Sequence, residues 1–306
     1  TAYRTYAFFS NSKGALPTSA LVNVSVMISK SHLQKDIKSM KLYCHVDRVL
    51  TELRAVGKDD DEPLSASELT PFDQLHYHGT ESVDLAVERA KISADSSVLE
   101  IGSGLGGPAR HIAATAGARV TALELQRDQN ALASKLTARC ALSEKGKHIC
   151  GDFLTYDGSG SQFDVIASWL ALYHIRERSQ LLDRCCALLN PGGYFFAEDL
   201  YARERLTQDE ESELATELFA MHLPDYDAYL QDLAAAGLRL ETVEEMSDDW
   251  TEFTRMRQLN YRAQRARHTA LHGEAVYQSI DHFYEVVTRH FTSGKLGGLR
   301  VVARKA

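Results

Sequence analysis

The chain lacks an apolar run long enough to span a bilayer: about 18 consecutive residues are needed, and the richest stretch, 20–28, is short and interrupted by Asn23 and Ser25. Cysteine is sparse as well. The five residues Cys44, Cys140, Cys150, Cys185 and Cys186 show no CxxC spacing and fall far below the density of a secreted disulfide scaffold. Buried thiols in a reducing compartment, and no metal site, are the expectation. Nor is there a surplus of positive charge, since 34 Lys and Arg against 42 Asp and Glu leave a formal net charge of -8. Nucleic acids and anionic membranes are met by concentrated basic surfaces, so neither is expected as a partner and a small molecule is. One stretch lacks acids altogether: residues 1–35 carry Arg4, Lys13, Lys30 and Lys35 among many Ser and Thr. It reads either as the ordinary arm of a cytoplasmic protein or as a mitochondrial or plastid transit segment.

What is present is apolar material, 44% of 306 residues, enough for one large α/β domain with an appendage. Residues 41–57 set Leu42, Val46, Val49, Leu50 and Leu53 at helical spacing. The acidic segment KDDDEPLSASE follows, with Pro63 inside it. The expected division is therefore an N-terminal arm, helix and acidic linker over 1–70 and a main domain over 71–306, with the first helix as the surface through which a homodimer would form. From about residue 80, short apolar runs at 97–101, 118–123, 147–150, 163–168 and 194–197 alternate with helical stretches. That pattern predicts an α/β fold with a doubly wound, mostly parallel sheet covered by helices on both faces. A strand at 238–246, helices at 250–268 and 274–291, and a last strand at 299–303 bring the sheet to seven strands. Asn190-Pro191-Gly192-Gly193 and Gly297-Gly298 read as turns.

The segment Val98-Leu99-Glu100-Ile101-Gly102-Ser103-Gly104-Leu105-Gly106-Gly107 ends a strand in a turn where glycine lets a ligand approach the backbone. The next helix begins there with its free N–H groups. Dinucleotide enzymes use the same device for pyrophosphate, so the surroundings must decide the ligand. Glu100 beside the turn suits a cationic amino-acid end better than a pyrophosphate. Glu124, followed by Leu125, closes the second strand where a ribose diol is gripped. Asp152 and Phe153 after the third strand suit the amino group and ring of adenine. Gly106 and Gly107 serve either the ligand or close packing of helix on strand.

In order and spacing these residues, with Leu189-Asn190-Pro191-Gly192-Gly193 before the fifth strand, resemble the class I, Rossmann-like S-adenosylmethionine-dependent methyltransferases over roughly 80–306. The resemblance implies S-adenosyl-L-methionine as cofactor and an antiparallel last strand closing the sheet edge. It also implies Glu100, Gly102, Ser103, Gly104, Glu124, Leu125, Asp152, Phe153 and Ser168 as cofactor contacts.

Ligands of open α/β sheets sit beyond the carboxyl ends of the strands, so the acceptor is expected at the loop Ser168-Trp169-Leu170-Ala171-Leu172-Tyr173-His174-Ile175. Tyr77, from the segment Leu75-His76-Tyr77-His78-Gly79, together with His174 resembles the Tyr–His pair of the phosphoethanolamine methyltransferases. There the His takes a proton from the acceptor, or the pair latches the site shut. The phosphate-holding Arg of that family has no obvious match in the corresponding stretch, Glu198-Asp199-Leu200-Tyr201 through Met221-His222-Leu223-Pro224. That stretch, with His222 in a loop before a helix, is more similar to sarcosine and dimethylglycine methyltransferases.

The layout as a whole resembles osmolyte-type enzymes that methylate an amine nitrogen or a thioether sulfur, including methylthio-hydroxybutyrate on the way to dimethylsulfoniopropionate. Trp169, Tyr173, Tyr201 and Trp250 are read either as a wall around a developing onium cation or as core. Residues 255–268 hold Arg255, Arg257, Tyr261, Arg262, Arg265 and Arg267, either as a roof that meets an acceptor carboxylate or as a solvated basic face. Two other readings remain at this stage. One is an O-methyltransferase of a natural product or lipid precursor, with a larger and greasier pocket. The other is a non-catalytic binding protein that keeps the cofactor fold.

Overall fold

The computed structural model describes residues 43–306. The acid-free stretch 1–35 lies outside the described residues. Strand β1 (Ser97–Ile101) pairs in parallel with β2 (Arg119–Glu124), and β2 with β3 (Gly146–Cys150). On its other side β1 pairs with β4 (Phe163–Trp169), and β4 with β5 (Leu189–Ala202). Two antiparallel strands, β6 (Leu238–Glu245) and β7 (Leu296–Lys305), complete the order β3-β2-β1-β4-β5-β7-β6. Chain order reverses between β1 and β4, and in such sheets the crevice for a ligand opens at that switch, beyond the carboxyl ends of the strands.

Side chains alternate along the central strands. Val98, Val120, Ala122, Val165 and Ala167 belong to the core on one face, and Leu99, Leu123 and Ile166 to the core on the other. Both faces are covered, and each large side chain fully removed from water stabilises by roughly 1.5–3 kcal/mol.

The helices are α1 (Arg48–Ala55), α2 (Ala66–Asp73), α3 (Gly79–Arg89), α4 (Gly107–Thr115), α5 (Arg127–Arg139), α6 (Arg178–Leu188), α7 (Gln208–Glu217), α8 (Tyr226–Ala235), α9 (Ser247–Ala263), α10 (Arg265–His272) and α11 (Glu274–Thr292). Helix α1 starts later than residue 41, because the residues before it are drawn elsewhere: Tyr43 reaches across to His174 and Val46 packs on the leucine cluster below. In that cluster Val49, Leu53, Leu64 and Leu69 meet Leu105, Leu132 and Leu136. The segment around the acidic linker is thus seated on α5 and the glycine turn. A reciprocal cap between Ser65 and Glu68 starts α2. The helix expected over 250–268 is two helices, broken at Gln264. Among the described residues no helix is long and apolar enough to cross a membrane.

Three expectations about strands and turns are corrected. Asn190 to Gly193 lies inside β5, which begins at Leu189. The register jumps from Phe163–Leu189 to Val165–Tyr194, so these residues form a bulge. Its polar groups are tied down by neighbours: Asn190 donates to Asp164, and Arg304 donates to the Gly192 carbonyl. Gly297 and Gly298 are also within a strand, paired with Tyr201 and Leu200. A β-carbon on Gly298 would overlap the Trp250 indole, and one on Gly297 the Tyr201 ring, so these glycines make room for aromatic packing. Finally, the last strand is antiparallel but interior. β6, polar and exposed over much of its length, takes the edge.

Candidate functional site

The turn after β1 is built around two acids. Gly102 and Ser103 both donate their backbone N–H to the Leu123 carbonyl, at 2.9 and 3.0 Å, which folds the turn onto the end of β2. The Glu124 carboxylate is then held from both sides, by Gly104 N–H and by Gln126 N–H, each at 2.8 Å. Gly102 and Gly104 have φ of +71° and +51°, a region that L side chains avoid. Gly106 and Gly107 answer to packing, since β-carbons there would overlap His148 and the Asp73 carbonyl. Below the turn the buried Arg110 guanidinium pairs with Asp73 at 2.8 Å and donates to Thr137 and to the carbonyls of Leu105 and Ala133. It fixes the loop to α2 and α5.

Glu100 is 2% exposed, and its Oε2 has no hydrogen-bond partner. Burial lifts its pKa to about 8, against the pull of Arg110 and with the push of Glu124. Burial also raises Glu124, partly offset by the N–H groups of Gln126 and Gly104. Ser103 Oγ and Gln129 Oε1 are likewise buried and unpartnered. Two carboxyls and further unpaired oxygens gathered at one turn call for a ligand that brings donors and positive charge. An ammonium-bearing sulfonium nucleoside fits that demand, and a pyrophosphate would be repelled. The other expected contacts divide. Leu125 is 38% exposed beside the turn, available to a ring. Asp152 accepts from the Leu154 N–H at 2.9 Å. Phe153 is packed in the core with Ile101, Leu123 and Leu172, so its ring is not free to stack on adenine. Ser168 is fully buried and gives its hydroxyl to the Ile101 carbonyl at 2.9 Å, a tie between β4 and β1.

At the acceptor end, His174 follows a short 3-10 turn (Leu172–His174) after β4. Its Nδ1 meets the Phe219 carbonyl at 2.9 Å, so that nitrogen carries the proton, and Nε2 faces the Tyr43 hydroxyl at 3.3 Å. Burial lowers the His174 pKa to about 4. Burial, and after it the charges of Glu124 and Tyr77, push the Tyr43 hydroxyl's pKa up. The expected partner of His174, Tyr77, is elsewhere. Its ring packs on Trp250 and Phe253 with centroids 5.0 and 5.2 Å away. Tyr43 was not legible as the partner because only a contact across 131 residues reveals it.

The expected aromatic wall is mostly core. Trp169 gives its Nε1 to Ser82 Oγ at 2.9 Å and packs on Phe196. Tyr201 bonds Glu245 and faces Tyr226. Trp250 is fully buried against Gly298. Tyr173 alone stays with His174, ring centroids 4.1 Å apart. Its pKa is driven well up by burial first, then by Tyr43 and Tyr77, while Arg257 pulls the other way. His222 is half-buried and lowered by burial, within reach of the charges on Arg178, Asp232 and Asp199. It joins Tyr173 only through backbone, donating N–H to the Tyr173 carbonyl at 3.2 Å.

One residue of the basic segment turns inward. The Arg257 guanidinium lies 4.6 Å from the Tyr284 ring centroid, 4.8 Å from Tyr77 and 5.5 Å from Phe253. Its Nε is buried without a partner, and among the described residues no carboxylate forms an ion pair with it. It lines a cavity of about 650 Å³ that reaches from α1 to Leu105 and Gln129 beside the glycine turn, with Tyr43 on its wall.

Residues 98–193 match a protein family described as "Methyltransferase domain". Among curated relatives, the chain is 25% identical over 179 residues to the glycine/sarcosine/dimethylglycine N-methyltransferase of Actinopolyspora halophila, covering 58% of this chain and 32% of that protein. It is 30% identical over 189 residues to a sterol 24-C-methyltransferase of Gibberella zeae, covering 56% of this chain and 49% of that one. The chain thus spans about a third to a half of the length of these two relatives. In fold it is similar to Haemonchus contortus phosphoethanolamine N-methyltransferase 2, with a TM-score of 0.74 at 16% identity over 89% of this chain and 60% of that one.

Proposed function

We propose, from the premise that this chain carries a class I, S-adenosyl-L-methionine-dependent methyltransferase domain, that it methylates a small polar acceptor at an amine nitrogen or a thioether sulfur, and that the acceptor carries an anionic group. The observation that carries this reading is Arg257, whose guanidinium lies over the Tyr77 and Tyr284 rings and, among the described residues, has no carboxylate partner. An inward cation without a carboxylate partner is suited to a carboxylate or phosphate on the ligand. Ionisable groups such as Arg48, Glu52, Arg257 and Arg267 along the adjoining cavity make it a poor home for a sterol.

When bound, the cofactor supplies a methyl group activated by a sulfonium. The residues around it orient and exclude water. Glu100 and the unpaired Gln129 oxygen would take the ammonium end, and Glu124 the ribose. In-line transfer then depends mainly on holding the acceptor atom in place. The Tyr43–His174 pair holds rather than deprotonates. A histidine with a pKa near 4 taking a proton from an alkylammonium with a pKa near 10 would face a climb of ~8 kcal/mol. The acceptor atom therefore arrives with its lone pair already free, as a thioether or a neutral amine, and any proton on the product ammonium leaves to solvent after transfer. The test is a screen with methyl-labelled cofactor over glycine, sarcosine, dimethylglycine, phosphoethanolamine, methylthio acids and a sterol. Transfer to a carboxylated or phosphorylated small acceptor is expected. Transfer to the sterol alone contradicts the reading.

A further inference from the structure

Away from the glycine turn and the Tyr43–His174 pair, Glu52 on α1 and His268 and His272 on α10 bring three donor atoms within 4.8 Å of one another. The two histidines are four residues apart on one helix, so they share a face, and their rings lie 6.5 Å apart at 21°. The carboxylate comes from a separate helix and completes the triangle, with Glu52 Oε1 2.8 Å from His272 Nε2. All three line the cavity wall, as does His45, which is near enough to His272 to sense its charge. Side chains of Glu52 and His272 are only 14% and 7% exposed.

We propose that Glu52, His268 and His272 bind a divalent first-row transition ion, zinc by the character of the donors, and that the ion staples α1 to α10. Two imidazoles and a carboxylate leave a fourth position open, for water or for His45. Arg267 is the competitor, since it pairs with the Glu52 oxygen. Its side chain is 41% exposed but forks onto both Glu52 oxygens, so the ion must displace a bidentate pair, which coordination by two imidazoles and a carboxylate can do. Tyr43 lies just before α1, so the ion would also steady the segment that delivers its hydroxyl to His174. The site stands independently of the methyl-transfer reading.

The experiment uses the full, tag-free chain, titrated with Zn²⁺ alone in a calorimeter and with Co²⁺ in a visible spectrometer. One saturable site is expected, with the ligand-field absorption of a low-coordinate cobalt ion. His268→Ala and His272→Ala should each weaken binding on the order of 10-fold or more. Arg267→Gln, a change at an exposed side chain that leaves folding intact, should tighten it by removing the competitor. No saturable binding, affinity unmoved by both histidine substitutions, or weaker binding in Arg267→Gln would each overturn the proposal.

Discussion

The two ends of the site are made differently. At the cofactor end, every important group lies within a few residues of a strand terminus, and the backbone does most of the positioning: Glu124 is clasped by Gly104 and Gln126. At the end proposed for the acceptor, Tyr43 meets His174 and Arg257 meets Tyr77, each pair formed by side chains from separate parts of the chain. A site built on local backbone geometry tolerates no change in the turn. One assembled from distant side chains can be retuned residue by residue, which is consistent with one fold serving many acceptors.

The largest effect that would sharpen this comparison is on the cofactor side. Glu124→Ala removes the anchor of the turn and the proposed ribose grip together, and should weaken adenosylhomocysteine binding on the order of 100-fold by calorimetry. A loss under threefold would break the contrast. On the acceptor side, Arg257→Ala should raise KM by about 10–100-fold, as expected for a lost charged hydrogen bond, while cofactor affinity stays level. A matching fall in cofactor affinity would show that the two ends are not separable.

Next in size is a pH effect at Glu100. A carboxyl raised from 4.5 to about 8 on folding contributes stability below its ordinary value, and that stability is lost as pH climbs through about 8. The melting temperature of the ligand-free protein should therefore fall over that window. A bound cation favours the ionised form, so the melting shift produced by saturating adenosylhomocysteine should grow towards pH ~8 and then level off. Glu100→Gln should flatten both trends, and a persistent slope in that variant would exclude Glu100 as the source. Smallest is Tyr43→Phe, which loses one neutral hydrogen bond and should lower kcat/KM about 3–10-fold, with Tyr77→Phe near wild type. The reverse ranking would restore Tyr77 as the partner of His174.

The same contrast explains what could be read from the chain alone. β1 and the ends of β2 to β4 were readable to within a residue because apolar alternation and glycine signals are local. Glu100, Gly102, Gly104 and Glu124 lie where that reading puts them in the chain, at the ends of β1 and β2 and the turn between them. Phe153 misled because an aromatic after a strand looks the same whether it faces a ligand or the core. Gly297-Gly298 misled because glycine is needed for a turn and for close approach alike, and only the Trp250 ring stacked on Gly298 distinguishes them. Trp169, Tyr201 and Trp250 carried no signal of their depth in the core. The partner of His174 required tertiary contact, and so did the inward turn of Arg257, one arginine among five in a basic helical stretch.

The most direct measurement is calorimetric titration of the purified chain with adenosylhomocysteine and, separately, with a nicotinamide dinucleotide. A saturable isotherm for adenosylhomocysteine, abolished or strongly weakened in Glu124→Ala, is the result predicted. Binding of the dinucleotide with no heat from adenosylhomocysteine would contradict the account.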